Sequence, residues 1–321
     1  MRRGAAVIMS VFAVFVIAGA SFAYYYEPNI GFGLEDSGDG TEITVSGSLP
    51  ADVRYRVFSD TATPERIYLF ADPDYPGAFL PYRTQDKVLS SLRDLMSRRG
   101  YDGAELIDAE RLAQLCSDPS AASCSGIVIM SGALPETIYP NDSENGLLTW
   151  LSNGGTLYWS GPDMGRFRAL SNGQCIDTGN GYFGDGVNHS DDIYLVSETS
   201  DVAELMGFVS AEAQYGLRSD YPGSRVLGLH GEYSSLSVVH VSAGRVYILG
   251  SFLNSLYVED FYTFADMMVI GITEDTVIKD SGIYHKGYGK GSFTIDGTSP
   301  GDTVYVSAGK ATSVSGRLFR L

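Results

Sequence analysis

Short apolar stretches alternate with helical patterns between residues 64 and 275, and this alternation limits the folds available to the chain. The strand-like stretches 66–72, 126–132 and 156–161 are bounded by polar or glycine-rich segments. Apolar strands separated by helices of about 10 to 15 residues are typical of a mainly parallel sheet covered on both faces. The pattern therefore predicts an α/β domain over 64–275, a three-layer sandwich with a mainly parallel sheet.

The helical patterns between these stretches carry recognisable start signals. In 84–100 the apolar residues recur at the spacing of one helical face. Asp108 and Ser143 each precede a further pattern of this kind and are expected to be N-caps. A fourth strand is expected at 192–198, and the alternation over 234–251 predicts a hairpin.

The N-terminal segment 1–26 contains a long apolar run. Two arginines precede an uncharged stretch over 4–23, which as a helix would span about 30 Å, the thickness of a bilayer core. This predicts a single-pass anchor, with the arginines on the cytoplasmic side and the bulk of the chain outside the cell membrane. Small residues at 21–23 leave a cleaved signal peptide as the alternative, in which case the protein is secreted.

Composition changes on both sides of the α/β domain. Residues 27–41 are rich in glycine and acidic residues, which indicates a flexible stalk. Residues 42–63 form a β segment, and 276–321 contains three further β-like runs. Because so short a tail rarely forms a stable core alone, we expect 276–321 to make a small β module together with 42–63.

The charge of the chain excludes one class of partner. The sequence has 39 Asp and Glu against 22 Lys and Arg, a net charge of −17. Binding to nucleic-acid phosphates requires a basic surface, so no nucleic-acid partner is expected. The acidic loop 177–192 lacks the ligand spacing of an EF-hand, and the sequence has no phosphate-cradling or dinucleotide fingerprint. No metal and no cofactor are therefore predicted.

An outside location would suit two further features. Cys116 and Cys124 bracket a short loop and could form a disulfide in an oxidising compartment, with unlinked thiols as the alternative. Asn141 and Asn188 each begin a glycosylation sequon, which predicts exposed loops if the host glycosylates the protein.

The order of strands and helices, and above all the stretch LLTWLSNGGTLYWSGPD, resembles the class I glutamine amidotransferase-like superfold. The resemblance is to the noncatalytic or uncharacterised branches of this superfold in secreted and membrane-anchored proteins, and it implies a flavodoxin-like layer sandwich. Active members carry a nucleophilic cysteine at a strand-to-helix elbow, next to a His-x-Glu pair. Here the elbow reads Trp-Ser-Gly-Pro-Asp over 159–163, and His230 lies before the hairpin instead of after it. The resemblance therefore implies a domain that has lost its catalytic nucleophile.

The candidate binding residues follow the predicted strands. Because the carboxyl ends of parallel strands meet at one edge, where open α/β sheets bind ligands, side chains after the strands are expected to lie together. These are Asp72, Asp74, Ser131, Ser160 and Asp163. The sequence thus predicts a noncatalytic protein that binds a carbohydrate or a partner protein at the cell envelope. The alternative is an extracytoplasmic hydrolase that uses the carboxylates at the sheet edge.

Overall fold

The computed structural model describes eight segments of the chain. They are 30–36, 40–141, 144–189, 198–199, 215–230, 233–249, 258–308 and 315–321. Helices α1 to α5 run over Tyr82–Arg98, Ala109–Ser117, Pro119–Ala122, Gly146–Ser152 and Val258–Ile270. Strands β1 to β20 run over Gly31–Asp36, Gly40–Ser46, Ala51–Ser59, Arg66–Phe70, Ala104–Ile107, Ser125–Ile129, Leu134–Pro135, Thr156–Trp159, Phe167–Ala169, Cys175–Asp177, Val187–His189, Glu198–Thr199, Tyr215–Arg218, Ser224–His230, Tyr233–Val241, Gly244–Ile248, Val277–Lys286, Gly291–Asp296, Thr303–Ala308 and Ser315–Arg320.

The largest sheet is mixed, and this corrects the predicted fold class. Its strands follow the order β11-β13-β15-β16-β8-β6-β4-β5, with β12 and β14 joined through β15. Pairing is parallel from β16 to β5 and antiparallel from β16 outward. Strands prevail over helices, and several sheets are antiparallel or mixed, so the mainly parallel three-layer sandwich and the glutamine amidotransferase-like fold are both wrong.

The reason for the correction lies after β8. The expected strand over 192–198 lies almost wholly outside the described residues. Among the described strands of this sheet that follow β8, only β16 pairs in parallel. β14, β15 and β16 follow one another in the chain and pair in antiparallel register. The turn of the predicted hairpin has two residues, since Val241 pairs with Gly244.

Helices cover both faces of this sheet. α1 buries Leu89, Leu92, Leu95 and Met96 on the face that it shares with α5. α2 begins where predicted, since the Asp108 carboxylate accepts a hydrogen bond from the Arg111 amide at 2.8 Å. The N-cap of α4 is not the predicted serine at 143, which lies outside the described residues. That cap is an asparagine at 145, whose side-chain oxygen accepts from two backbone amides.

The two ends of the chain form a separate pair of sheets. One sheet has the order β1-β2-β18 and the other β17-β3-β19-β20. They enclose a small apolar core made of Ile30, Ile43, Val45, Val53, Val57, Ile295, Val304, Val306 and Ala308. The tail therefore pairs with the segment after the proposed stalk.

The flexible stalk over 27–41 is wrong for most of its length. Residues 31–36 form β1, which pairs with β2 in antiparallel register. Ile30 is buried and Phe32 packs against the same small core, so alternate apolar residues anchor this glycine-rich strand. Residues 27–29 lie outside the described part of the chain.

A buried ionic network joins the two units. The Nε atom of Arg99, at the end of α1, donates to the Asp266 carboxylate of α5 at 2.7 Å. The hydroxyl of Tyr305, on β19, donates to the other carboxylate oxygen at 2.6 Å. Burial raises the pKa of the Tyr305 phenol well above its usual value, so the hydroxyl remains a donor. The network thus connects α1 and α5 of the larger unit to β19, a central strand of the smaller one.

Among the residues that the structure describes, no helix is long and apolar enough to cross a membrane. This finding stands against the predicted single-pass topology, which we do not retain. The segment 1–26, on which that prediction was made, lies outside the described residues.

Candidate functional site

The loop after β8 is shaped by two glycines that press against each other. Gly161 has φ +123° and Gly132, which follows β6, has φ +69°. A Cβ on Gly161 would lie 2.8 Å from the Gly132 Cα atom, a contact that neither backbone can relieve. The chain therefore turns sharply after Trp159, and the indole Nε1 of that residue donates to the Pro162 carbonyl at 2.7 Å. These contacts place Asp163 at the rim of the sheet.

Ser131 and Ser160 are buried beneath the loop that follows β4. Their exposed fractions are 2% and 0%. The Ser131 hydroxyl donates to the Ala133 carbonyl at 2.8 Å, which closes a local turn. Phe79 lies over both glycines of this region, and its amide donates to the Ser131 carbonyl at 2.9 Å. The position of the expected elbow is therefore filled by protein, and neither serine is available to a substrate.

Asp72 has a structural role. One carboxylate oxygen accepts from the Asp74 amide and the other from the Ala109 amide, both at 2.9 Å. The second bond satisfies an amide in the first turn of α2, where a negative charge is also favoured by the helix dipole. Asp74 is exposed on the adjoining turn. The sheet edge thus does not bring Asp72, Asp74 and Asp163 together in the cleft described below.

Asp163 is held at the floor of a cleft. It is 5% exposed, and one carboxylate oxygen accepts from the Phe183 amide at 2.9 Å. Burial raises the pKa of Asp163 to about 6, although hydrogen bonds from the amides of Phe183, Gly184 and Met164 oppose the rise. Gly181 is required beside it, since a Cβ there would lie 2.2 Å from the Asp163 carboxyl carbon.

The cleft has a volume of about 430 Å³ and a polar lining. Two guanidinium groups rim it, and each forms an ion pair with an outer aspartate. Arg166 pairs with Asp177 at 3.3 Å and Arg218 with Asp220 at 2.7 Å. The lining is completed by Gly179, Asn180, Gly181, Gly184, Val187 and Tyr233.

A second pocket, of about 270 Å³, adjoins the cleft. The two share Asn180 and Gly181, so the loop over 178–184 separates them. The lining of the second pocket is partly apolar and aromatic: Tyr139, Leu148, Met164 and Tyr182. The ring of Tyr182 is 44% exposed and packs edge-on against Phe183, with the centroids 5.1 Å apart.

Hydrogen bonds fix the loop that separates the pockets. The Tyr182 amide donates to the Met164 carbonyl at 2.7 Å, and the Thr178 amide to the Arg166 carbonyl at 2.8 Å. The Thr178 hydroxyl also lies 3.1 Å from the Asn180 carbonyl, to which it donates. A loop tied in this way presents its side chains without a large ordering cost on binding.

The raised pKa of Asp163 predicts a pH-dependent stability. Because its pKa is higher in the folded protein than the ordinary 3.8, its contribution to the free energy of unfolding is fully present below 3.8 and is lost as the pH rises through about 6. The loss is at most about 3 kcal/mol, from 1.36 kcal/mol per pKa unit. The free energy of unfolding should be measured with urea from pH 4 to pH 7. Relative to Asp163→Asn, that of the wild type should increase toward low pH. A difference that does not change with pH would contradict the prediction.

The other sequence candidates do not converge on this cleft. The structure has Cys116, Cys124 and Cys175 as free thiols, so the disulfide between the first two is not formed. Cys116 lies on α2 and is buried in the apolar core, where burial raises its pKa to about 12. The thiol of Cys124, its predicted partner, instead donates to the Ala121 carbonyl.

The sequons and the histidine pair have separate locations. Asn141 is exposed, and Asn188 lies in β11, where it pairs with Gly216. His230 lies in β14, and the glutamate at 232 is outside the described residues. In the part of the chain that the structure describes, no cluster of three or more His, Cys, Asp or Glu residues could hold a metal ion.

The sequence predicted Asp163 as a binding residue, and the structure places it in the lining of the cleft; the residues around it were not predicted. Arg166 follows three positions later on a turn. Asn180 reaches the cleft, and Tyr182 the adjoining pocket, through the loop after β10, whereas Arg218 reaches the cleft through β13. The glycine-rich composition of 179–186 was the available signal, since close backbone approach requires such residues.

Comparison with known proteins gives only remote similarity. No family model and no curated protein matches the chain. An exo-β-1,4-mannosidase from Opitutaceae bacterium strain TAV5 is 16% identical with a TM-score of 0.43, over 66% of this chain and 37% of that one. A β-galactosidase from Rahnella sp. R3 is 12% identical with a TM-score of 0.36, over 77% of this chain and 41% of that one.

A cytoplasmic protein from Salmonella typhimurium LT2 is 11% identical with a TM-score of 0.37, over 77% of this chain and 97% of that one. The chain thus spans less than half the length of the mannosidase and the galactosidase. With TM-scores below 0.5, these similarities carry no conclusion about the fold or activity of this protein.

Proposed function

We propose that this protein binds carbohydrate, without catalysis, in the cleft above Asp163 and in the adjoining pocket. One observation carries the proposal: a cleft rimmed by guanidinium groups and a pocket lined by aromatic rings meet at Asn180 and Gly181. A sugar has hydroxyl groups that donate and accept hydrogen bonds and ring faces of C–H bonds that are apolar. The paired pockets offer a partner for each of these surfaces.

The polar partners suit hydroxyl groups. Arg166 supplies donors in a planar fork, and the Asn180 amide supplies both a donor and an acceptor. Tyr182, at the boundary, exposes almost half of its ring, although it is fixed by its backbone bond to Met164 and by its contact with Phe183. An exposed but immobilised aromatic ring is a favourable platform for an apolar ligand face.

The absence of a nucleophile at the elbow supports a role without catalysis. Ser160 is fully buried, and the space in front of it is occupied by the loop that carries Phe79. The position therefore offers neither an exposed hydroxyl nor a place for a reacting carbonyl group, both of which nucleophilic catalysis requires.

A hydrolase remains the second candidate because of one observation. The pKa of Asp163, about 6, is that of a general acid poised near neutral pH. Glycoside hydrolysis ordinarily uses two carboxyl groups, however, and Asp163 is the only carboxylic acid in the lining of the cleft as described. Turnover of aryl glycosides that is lost in Asp163→Asn would favour this candidate over the binding role.

Tyr182→Ala tests the binding proposal. Titration calorimetry of the full chain against a panel of neutral and acidic oligosaccharides should find ligands for the wild type. Affinity for these should fall about five-fold in the variant, because a stacking platform contributes on the order of 1 kcal/mol. Tyr288→Ala is the matched control, since this ring is 80% exposed and lies far along the chain on a turn after β17.

Three results would overturn the proposal. One is that no oligosaccharide of the panel binds the wild type. Another is that Tyr182→Ala and Tyr288→Ala bind every ligand as the wild type does. Binding of a purified envelope protein that is blocked by Tyr182→Ala, with no oligosaccharide bound, would assign the surface to a protein partner and would also contradict the carbohydrate role.

A further inference from the structure

We infer that Asn180 is a site of spontaneous covalent modification, at which the side-chain amide is lost and an aspartate or an isoaspartate is formed in water. Unlike the proposed function, this reaction needs no ligand. The sequence has four Asn-Gly pairs, at 145–146, 153–154, 172–173 and 180–181. Their surroundings in the structure leave the last pair open to the reaction and protect the other three.

The reaction is an intramolecular substitution. The backbone nitrogen that follows the asparagine attacks the side-chain Cγ atom, so an N–Cγ bond forms. The Cγ–Nδ2 bond breaks, and the backbone N–H proton leaves with the side-chain nitrogen as ammonia. Water then opens the five-membered succinimide at one of its two carbonyl groups. Nucleophile and carbonyl are adjacent in the chain, and a following glycine offers the least steric hindrance to their approach.

In three of the pairs the attacking nitrogen is already bonded. The glycine amides donate to backbone carbonyls, at 2.7 Å from Gly146, 2.9 Å from Gly154 and 3.0 Å from Gly173. Such a peptide group must break its hydrogen bond before its nitrogen can turn toward the preceding side chain. Within the described residues the Gly181 amide has no hydrogen-bond partner. Its nitrogen can therefore approach Asn180 without that cost.

The asparagine side chains differ in the same way. The Oδ1 atom of Asn145 accepts from two backbone amides at the start of α4. Asn153 donates to a backbone carbonyl one turn earlier at 2.8 Å, and Asn172 accepts from a backbone amide two residues later at 3.0 Å. The Asn180 side chain is exposed in the lining of the cleft and has no hydrogen bond to the rest of the described chain. Its Cγ atom is thus accessible to the nitrogen.

The peptide group of the reactive pair is held only at its oxygen. The Thr178 hydroxyl donates to the Asn180 carbonyl at 3.1 Å. A hydrogen bond to this oxygen draws electrons from the peptide nitrogen and so assists the loss of its proton. The amides that tie the loop belong to Thr178 and Tyr182, on either side of the pair. The loop therefore keeps its path while the central peptide group remains able to rotate.

The cleft itself requires the reactive glycine. A Cβ at position 181 would lie 2.2 Å from the Asp163 carboxyl carbon, so no larger residue fits there. Asn180 lines both the cleft and the adjoining pocket. Its modification would replace an amide by a carboxylate at the boundary between them, in the same lining as Asp163. The charge of this surface would then become more negative as the protein ages.

The test follows all four pairs in one sample. The full wild-type chain is kept folded at pH 8 and 37 °C for several weeks, and peptide mapping by mass spectrometry measures the conversion of each asparagine. We expect Asn180 to convert at least ten-fold faster than the other three. In guanidinium chloride, where no structure protects them, the four rates should agree within about three-fold. Anion-exchange chromatography of the folded sample should show an acidic form that grows at the rate measured for Asn180.

Two variants identify the source of that acidic form. Asn180→Gln keeps an amide, but its cyclisation needs a six-membered ring that forms much more slowly, so the acidic form should no longer appear. Asn172→Gln is the matched control, because this asparagine is also exposed and precedes a glycine but is hydrogen-bonded. It should leave the growth of the acidic form unchanged.

Three results would overturn the inference. The first is equal conversion of the four pairs in the folded protein, or faster conversion at another pair. The second is that Asn180 stays intact in the folded protein over the time in which it converts in guanidinium chloride. The third is an acidic form that grows unchanged in Asn180→Gln.

Discussion

Replacing Asp266 by asparagine is expected to lower the free energy of unfolding by about 3 to 5 kcal/mol, because it leaves a buried guanidinium without its counter-charge. The Arg99 side chain is only 2% exposed and the carboxylate side chain of Asp266 12%. Tyr305 would lose its charged acceptor in the same substitution. Urea unfolding followed by circular dichroism measures the loss.

The double variant Arg99→Met with Asp266→Leu is the informative control. If the cost of the single variants comes from an unpaired buried charge, removing both charges should cost much less than the sum of the two single substitutions. Additive losses would show that the ion pair is not the source of the effect. Tyr305→Phe, which removes one hydrogen bond and no charge, should cost only about 1 kcal/mol.

The position of the network suggests how unfolding would proceed. Asp266 lies on α5 and Tyr305 on β19, so the residues of the network belong to different units. Phe58 and Tyr305 also pack against the apolar core of the larger unit, so apolar contacts join the two units in addition to the network. We therefore expect wild type to unfold in one transition and Asp266→Asn to show two, which protease cleavage between the units would detect.

The second large effect is expected at Trp159, which is fully buried at the end of β8. Trp159→Ala should cost about 3 to 5 kcal/mol, through the apolar surface that is lost and the cavity that is left. The same substitution removes the hydrogen bond from the indole to the Pro162 carbonyl, which holds the turn that carries Asp163. We therefore expect the affinity of the cleft for its ligand to fall as well.

Trp159→Phe separates packing from the hydrogen bond. Phenylalanine keeps most of the ring in the core but cannot donate to Pro162, so the loss of stability should be about 1 to 2 kcal/mol. Affinity measured well below the unfolding temperature should still decline if the bond positions the turn. An affinity unchanged in both variants would show that the turn is fixed by its glycines alone.

The sequence specified those elements that depend on local pattern. The strands at 66–70, 125–129 and 156–159 and the helix that follows the first of them lie where the apolar periodicity placed them. Asp108 caps α2 as its position before the helical pattern predicted. Such signals depend on neighbours within one or two turns of the chain, and the sequence alone contains them.

The role of each side chain at the sheet edge depends on contacts with residues that are distant in the sequence. Asp72 was expected to face a ligand, but its carboxylate accepts a hydrogen bond from the backbone amide of Ala109, which is 37 positions away. Arg218 reaches the cleft because β13 pairs with β15, not because of anything near Asp163 in the sequence. Spacing along the chain therefore identified an edge of the sheet and could not identify the cleft.

By itself the sequence determined that a sheet with flanking helices forms over the middle of the chain and that Asp163 follows one of its strands. Only the tertiary structure decided that this sheet continues with antiparallel strands, that residues 31–36 are a strand and not a stalk, and that Arg166 and Arg218 share a cleft. The physical reason is that a strand satisfies its hydrogen bonds with a partner of any separation and either direction, so its neighbours are selected by the packing of the whole chain.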